Sequence, residues 1–114
     1  MHNFKELNIW QKSIDLVEEV YSLTKNLPDS EKFGLVSQLN RSSVSISSNI
    51  AEGSGRNSNK DFVRFLNIAL GSSYELETQL ILVNRLFKNH ETKNIIEQLN
   101  EIQKMIRGFA KSLV

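Results

Sequence analysis

A chain of 114 residues with a formal net charge of +1 is most simply one domain, spanning 1–114. At 39% hydrophobic and 24% charged it is neither disordered nor fibrous, and its balanced charge does not announce a polyanion binder by composition. With no cysteine it has no disulfide framework, thiol chemistry or thiolate metal site.

The two histidines, His2 and His90, are far apart and read as surface or cap residues. The opening stretch MHNFKELNIW lacks the apolar segment of a signal peptide, and no run approaches the length of a membrane span. The expectation is a cytoplasmic protein with no membrane partner, in which the Asn40-Arg41-Ser42 sequon is silent.

The first helix is expected over about 8–26. It starts near Asn8, with Gln11 placed to answer it in a capping-box-like arrangement. Ile9, Ser13, Leu16, Val20, Leu23 and Leu27 form one heptad stripe, and Trp10, Ile14, Val17, Tyr21 and Thr24 run beside it. Two adjacent stripes make a face wider than one packing partner needs. Such a helix is either central within the subunit or meets another subunit. Pro28 ends it, because the residue before proline is steered out of the α region.

The second helix is expected over about 30–53, capped by Asp29 or Ser30, with Glu31 near the positive end of its dipole. Leu35, Leu39, Ile46 and Ile50 share one face, with Ser42 or Ser43 filling the gap between them. Val44-Ser45-Ile46-Ser47 alternates like a strand, but a lone strand between helices has no sheet partner. The stretch Gln38–Gly55 is therefore read as a helix of small residues that lets a neighbour come close. Gly53 and Gly55 are expected to end it in a left-handed cap. Gly53-Ser54-Gly55 is not a phosphate-binding loop, since no strand precedes it and no Gly-Lys-Ser/Thr follows.

Ser58 followed by Asp61 is the acidic form of a helix-start signature, and opens a third helix over about 58–88. Phe62, Leu66, Ala69, Ser73, Leu76, Leu80, Val83 and Phe87 step along it as the a/d seam of a coiled-coil-like helix. A fourth helix over about 90–112, opened by Asn89 or His90, repeats the step with Ile95, Leu99, Ile102, Ile106, Phe109 and Leu113.

Folding the last two helices into a hairpin pairs Val83 with Ile95, Leu80 with Leu99, Leu76 with Ile102 and Ser73 with Ile106. Small residues of one helix then meet large ones of the other. Short links force neighbours to be antiparallel, so the fold class is all-α, an antiparallel up-down-up-down four-helix bundle.

With these residues placed, the chain resembles the 23S rRNA intervening-sequence proteins, also called four helix bundle proteins. The resemblance runs from about Phe4 to Phe87. It rests on Phe4-Lys5-Glu6-Leu7 with Trp10-Gln11-Lys12, then Tyr21, Thr24 and Leu27-Pro28. It continues through Glu31, Phe33-Gly34-Leu35, Gln38, Arg41 and Ser45-Ile46-Ser47-Ser48-Asn49-Ile50-Ala51-Glu52-Gly53. Phe62-Val63-Arg64-Phe65-Leu66 and Ala69-Leu70-Gly71-Ser72-Ser73-Tyr74-Glu75-Leu76-Glu77 complete it. The resemblance implies a homo-oligomeric ring, typically a pentamer, with no enzymatic activity. A related branch comprises accessory proteins of diversity-generating retroelements, which bind nucleic acid and a reverse transcriptase.

Arg41, Asn49, Glu52 and Glu75 are the candidate structural polar network. The second and third helices, folded as a hairpin, bring Arg41 beside Ser72 and within a turn of Glu75. Asn49 and Glu52 then fall near Arg64 and Lys60-Asp61. A partly buried Arg41–Glu75 pair is the first expectation, since arginine's planar fork satisfies a carboxylate bidentately. Two solvated charges are the alternative. No histidine stands three residues after Glu52, Glu75 or Glu77, so the paired Glu-x-x-His pattern of a di-metal bundle is missing. No nucleophile and base are matched either. No catalytic residue, metal site or cofactor is expected.

Charge grouped by height along the bundle is more informative than its total. The end with the Gly53–Ser58 turn and both termini carries Lys5, Arg56, Lys60, Arg64, Arg107 and Lys111 against Glu6, Glu52 and Asp61, net +3. The opposite end is net +2 and the waist −4. A ring of such subunits stacks like ends into a positive rim. Arg56, Lys60, Arg64, Arg107 and Lys111 are the candidate contacts to RNA or DNA phosphate. The alternatives are a merely solvated surface, or a scaffold for a protein partner such as a reverse transcriptase. No aromatic residue is expected among these basic positions to stack on bases.

Overall fold

The computed structural model describes residues 2–114. Four helices follow one another: α1 (Asn8–Thr24), α2 (Leu35–Ser54), α3 (Asn59–Leu86) and α4 (Lys93–Ser112). No strand occurs among the described residues, and Val44–Ser47 is helical. Among the described residues no helix is long and apolar enough to cross a membrane.

The ends of the helices show which local signals operate. Ser58 caps α3 as expected, its Oγ accepting the Asp61 N–H at 3.1 Å. Asn8 does not cap α1; it is the first helical residue, preceded by Leu7. Asn3 instead starts a 3₁₀ turn, Phe4–Glu6, by accepting the Lys5 N–H at 3.2 Å. Gln11 reaches back past Asn8 and donates to the Lys5 carbonyl at 2.8 Å.

Asp29 and Ser30 do not cap α2 either. Asp29–Glu31 forms a second 3₁₀ turn after Pro28, and α2 starts at Leu35. The Glu31 Oε1 accepts the Leu35 N–H at 3.3 Å, so the acidic residue acts at the helix end predicted for it. α4 opens at Lys93 rather than at Asn89 or His90, with Glu91 Oε1 accepting the Lys93 N–H at 3.1 Å.

Neither Gly53 nor Gly55 is left-handed. Gly53 lies inside α2, and Gly55 has φ −86°. The reason for Gly53 is proximity. A Cβ there would stand 2.7 Å from Phe65 Cβ and 2.9 Å from Phe62 Cδ1, closer than real contacts allow.

Each helix packs closely against its sequence neighbours, and α1 also against α4, while across the diagonals α1–α3 and α2–α4 no Cα pair among the described residues comes within 8 Å. Contacts run in opposite senses along α2–α3 and along α3–α4. Ser45 meets Ser72 and Ser42 meets Gln79 across α2–α3, and Gln103 meets Glu77 and Arg107 meets Tyr74 across α3–α4. The result is a four-helix bundle of 43 × 22 × 20 Å. The α3–α4 register is the expected one. The α2–α3 register is a turn away from expectation, because Ser45 and not Arg41 faces Ser72.

The core is the set of heptad stripes. Leu16, Val20, Leu39, Ile46, Ile50, Leu66, Leu76, Leu80 and Leu99 are fully buried, and Phe62, Ile102 and Ile106 nearly so. Burying each such side chain contributes about 1.5–3 kcal/mol, which outweighs the few tenths per residue that serine costs in a helix.

The serines of the interior are satisfied locally. Ser13, Ser43, Ser47 and Ser54 each donate to the carbonyl three residues earlier, at 2.6–3.0 Å. Folded back in this way they pack almost as alanines. α2 and α3 are accordingly the most intimately packed pair.

Candidate nucleic-acid interface

The α2–α3 turn, Gly55–Ser58, projects from one end of the bundle. The chain's beginning joins it there, the His2 N–H donating to the Ser54 carbonyl at 2.9 Å. The His2 ring lies 5.2 Å from Phe62 and 6.0 Å from Phe109, so residues of α3 and α4 meet the start of the chain at this end.

Phe65 organises the basic residues. It is buried against Gly53, with 5% of its surface exposed. The guanidinium of Arg56 lies 4.6 Å from its ring centroid and that of Arg64 4.5 Å. Cation–π attraction of this kind contributes about 0.5–1 kcal/mol at exposed sites and holds each side chain in place. Each arginine also has a carboxylate partner. Arg56 Nη2 is 3.2 Å from Glu52 Oε2, and Arg64 Nε is 3.3 Å from Asp61 Oδ1. Both pairs are well exposed, so they contribute about 0–1 kcal/mol each and are readily exchanged for another anion.

Lys60 is exposed on the first turn of α3 and makes no ion pair among the described residues. Arg56, Lys60 and Arg64 are thus brought together around one turn. Arg107 is not part of that group. Its Nη1 donates to Tyr74 Oη at 3.0 Å, about three turns along α3 from Arg64. Lys111 is exposed near the end of α4.

Phe65 is an aromatic residue among the basic positions, where the expectation was of none to stack on a base. It cannot stack on a base, being covered, but it orders the cations. Sequence reasoning passed over it because it stands off the a/d seam of α3. The available signal was Gly53, whose missing side chain makes room for it.

The candidate polar network is not assembled. Arg41 and Glu75 are both exposed and share no ion pair or hydrogen bond among the described residues. Asn49 Nδ2 donates to the Ser45 carbonyl at 2.8 Å and to its Oγ at 3.1 Å, while Glu52 serves Arg56. The polar ties between helices are others, among them Thr24 to Asn40 at 3.0 Å, Ser42 to Gln79 at 2.7 Å, Ser45 to Ser72 at 2.8 Å and Gln103 to Glu77 at 2.9 Å.

The larger hollows are open to solvent, the widest being a groove of about 700 Å³ along α1 and α2 that includes Tyr21, Phe33, Val36 and Arg41. A cleft of about 180 Å³ between α1 and α4 is lined by Lys12, Asp15, Gln98, Glu101 and Ile102. It is below the roughly 300–1,000 Å³ of small-molecule sites, and the Lys12–Glu101 pair at 3.1 Å crosses it. No group of three or more His, Cys, Asp or Glu side chains stands close enough to hold a metal ion among the described residues.

Fold and surface together define a four-helix bundle with cations ordered at one end. The chain belongs to the 23S rRNA-intervening sequence protein family, whose sequence pattern matches residues 5–108. In structure it is similar to a protein of unknown function from the S23 ribosomal protein family of Bacteroides thetaiotaomicron VPI-5482. The two share 31% identity and a TM-score of 0.82, over 90% of this chain and 98% of that one. No curated protein matches the chain.

Proposed function

We propose that this protein acts by binding and not by catalysis, as a homo-oligomer, with a pentameric ring as the expected form, whose basic end meets RNA or DNA phosphate. The observation that carries the reading is the pair of arginines held against Phe65 beside the unpaired Lys60. Ordered guanidiniums lose less side-chain freedom on binding than mobile ones. Their carboxylate partners are exposed and give way cheaply to phosphate. Ring assembly sets several such ends side by side and multiplies a weak site. The family's description, which names an intervening sequence of an rRNA, supports a nucleic-acid setting. Recognition is by charge and shape, since the aromatic ring at the site is covered.

The test is binding of a fluorescent single-stranded RNA and its DNA counterpart across 50–200 mM salt. Affinity is expected to fall steeply with salt and to drop when Arg56, Lys60 and Arg64 are changed together to glutamine. Absence of binding at the lowest salt overturns the reading and leaves the protein-scaffold alternative in its place.

A further inference from the structure

Two exposed surfaces of the subunit are left without partners. The first runs along α3. Ile68, Glu75, Leu82 and Leu86 recur at spacings of seven and four and share one outer face, beside the side chains of Ser72 and Gln79 that bond α2. Ile68, Leu82 and Leu86 are 43%, 41% and 64% exposed. Gly71 lies within this stripe, and a Cβ on it would meet nothing within 4 Å. A glycine in the middle of a long helix is unfavourable, and nothing inside the subunit requires it. The stripe's charge is Glu75, which makes no ion pair among the described residues.

The second surface is an open groove between α1 and α2. Tyr21, Phe33, Val36 and Val44 line it, with Lys32 and Arg41 as its charged members and no carboxylate. Phe33 is 90% exposed. Neither Lys32 nor Arg41 has an ion-pair partner among the described residues. One surface is therefore an apolar ridge carrying a lone anion, with a gap where a backbone can approach. The other is an apolar groove carrying cations.

We infer that the occupant of the groove is a second copy of this chain, which lays its α3 stripe there and pairs its Glu75 with Arg41 of the first. This rests on the homo-oligomeric reading above and assigns the faces that meet. The charge complementarity selects the occupant: the unpaired anion and the unpaired cations belong to the same sequence and lie on different faces. Contact between unlike faces is head-to-tail, and such a contact repeats into a ring where its rotation closes. Gly71 is explained by the close approach of the neighbour's α1–α2 edge.

Light scattering after size exclusion, with helicity checked by circular dichroism, tests the pairing. Arg41→Glu and Glu75→Arg are each expected to shift assembly to at least about tenfold higher concentration, because each sets like charges opposite one another. Mixing the two variant chains in equal amounts should restore association, since each supplies the charge the other lacks, with one like-charged contact left over in any ring of five. Gly71→Gln, whose Cβ has nothing within 4 Å, should weaken assembly without lowering helicity, and decides the matter if a charge variant fails to fold.

Rescue by the double variant Arg41→Glu/Glu75→Arg but not by mixing identifies a pair within one chain and overturns the inference. Unchanged mass for the charge variants and for Gly71→Gln, in a protein that still assembles, overturns these faces and leaves the oligomer. A wild-type chain that is monomeric at every concentration overturns both.

Discussion

Gly53 lies against Phe65 so closely that a Cβ on the glycine would stand 2.7 Å from the phenylalanine Cβ. Backbone of α3 is also near, the Phe62 carbonyl being 3.3 Å from the same point. A flexible side-chain tip could move aside, but a Cβ and a carbonyl move only with their helix. Gly53→Ala is therefore expected to push α2 and α3 apart at the turn, at a cost of about 1–3 kcal/mol, despite alanine's better helix propensity. Chemical denaturation of the two proteins measures it.

The same substitution at Gly108 should have the opposite sign. Gly108 is exposed on α4, and a Cβ there meets nothing within 4 Å. Only the backbone term remains, so Gly108→Ala is expected to stabilise by about 0.5–1 kcal/mol. A raised denaturation midpoint with an unchanged slope is the expected result. A loss of stability would show that α4 is covered at this point by something outside the subunit.

Why some of the molecule could be read in advance follows from these contrasts. Heptad spacing reports which side of a helix is apolar, so Leu66, Leu76, Leu80 and Leu99 were legible as core, and all are buried. Hairpin register across α3–α4 followed because both stripes are strong. α2 has serines where the others have leucines, so its rotation and height were underdetermined, and Arg41 was set a turn away from its place. The N-cap at Ser58 was legible because its partner Asp61 is three residues on. Glu31 was legible as the acidic residue at the start of α2, but the cap at Glu91 was not, since that carboxylate reaches forward from outside the helix. At the basic end, Arg56, Lys60 and Arg64 were found by charge and spacing. The ring that orders two of them was hidden by its position off the seam, and Arg107 was drawn away by a tyrosine that no charge pattern reveals.

The short polar tie between Ser42 and Gln79 replaces the charged tie once expected between α2 and α3. Ser42 is 3% exposed and its Oγ donates to Gln79 Oε1 at 2.7 Å, while also lying 3.3 Å from the Leu39 carbonyl. A net hydrogen bond of this kind contributes about 0.5–1.5 kcal/mol. Ser42→Ala, Gln79→Ala and the double variant are expected to give a coupling in that range. Arg41 and Glu75, tested in the same way under dilute, dissociated conditions, should show none.

Charge and ordering at the basic end can be separated by two single substitutions. Lys60 makes no ion pair among the described residues, so Lys60→Ala removes one cation and little else. If it neutralises a phosphate, the slope of log K against log salt for single-stranded RNA should fall by about 0.7. Phe65→Leu leaves every charge in place but takes away the ring on which Arg56 and Arg64 rest, 4.6 and 4.5 Å from its centroid. The arginines then become mobile and must be ordered at the moment of binding, at about 0.5–1.5 kcal/mol per side chain. Affinity should drop by roughly tenfold at all salt concentrations with the slope unchanged. A slope change in Phe65→Leu would mean that the arginines lose contact altogether. No affinity change would mean that the stacking on Phe65 stabilises the turn and contributes nothing to recognition.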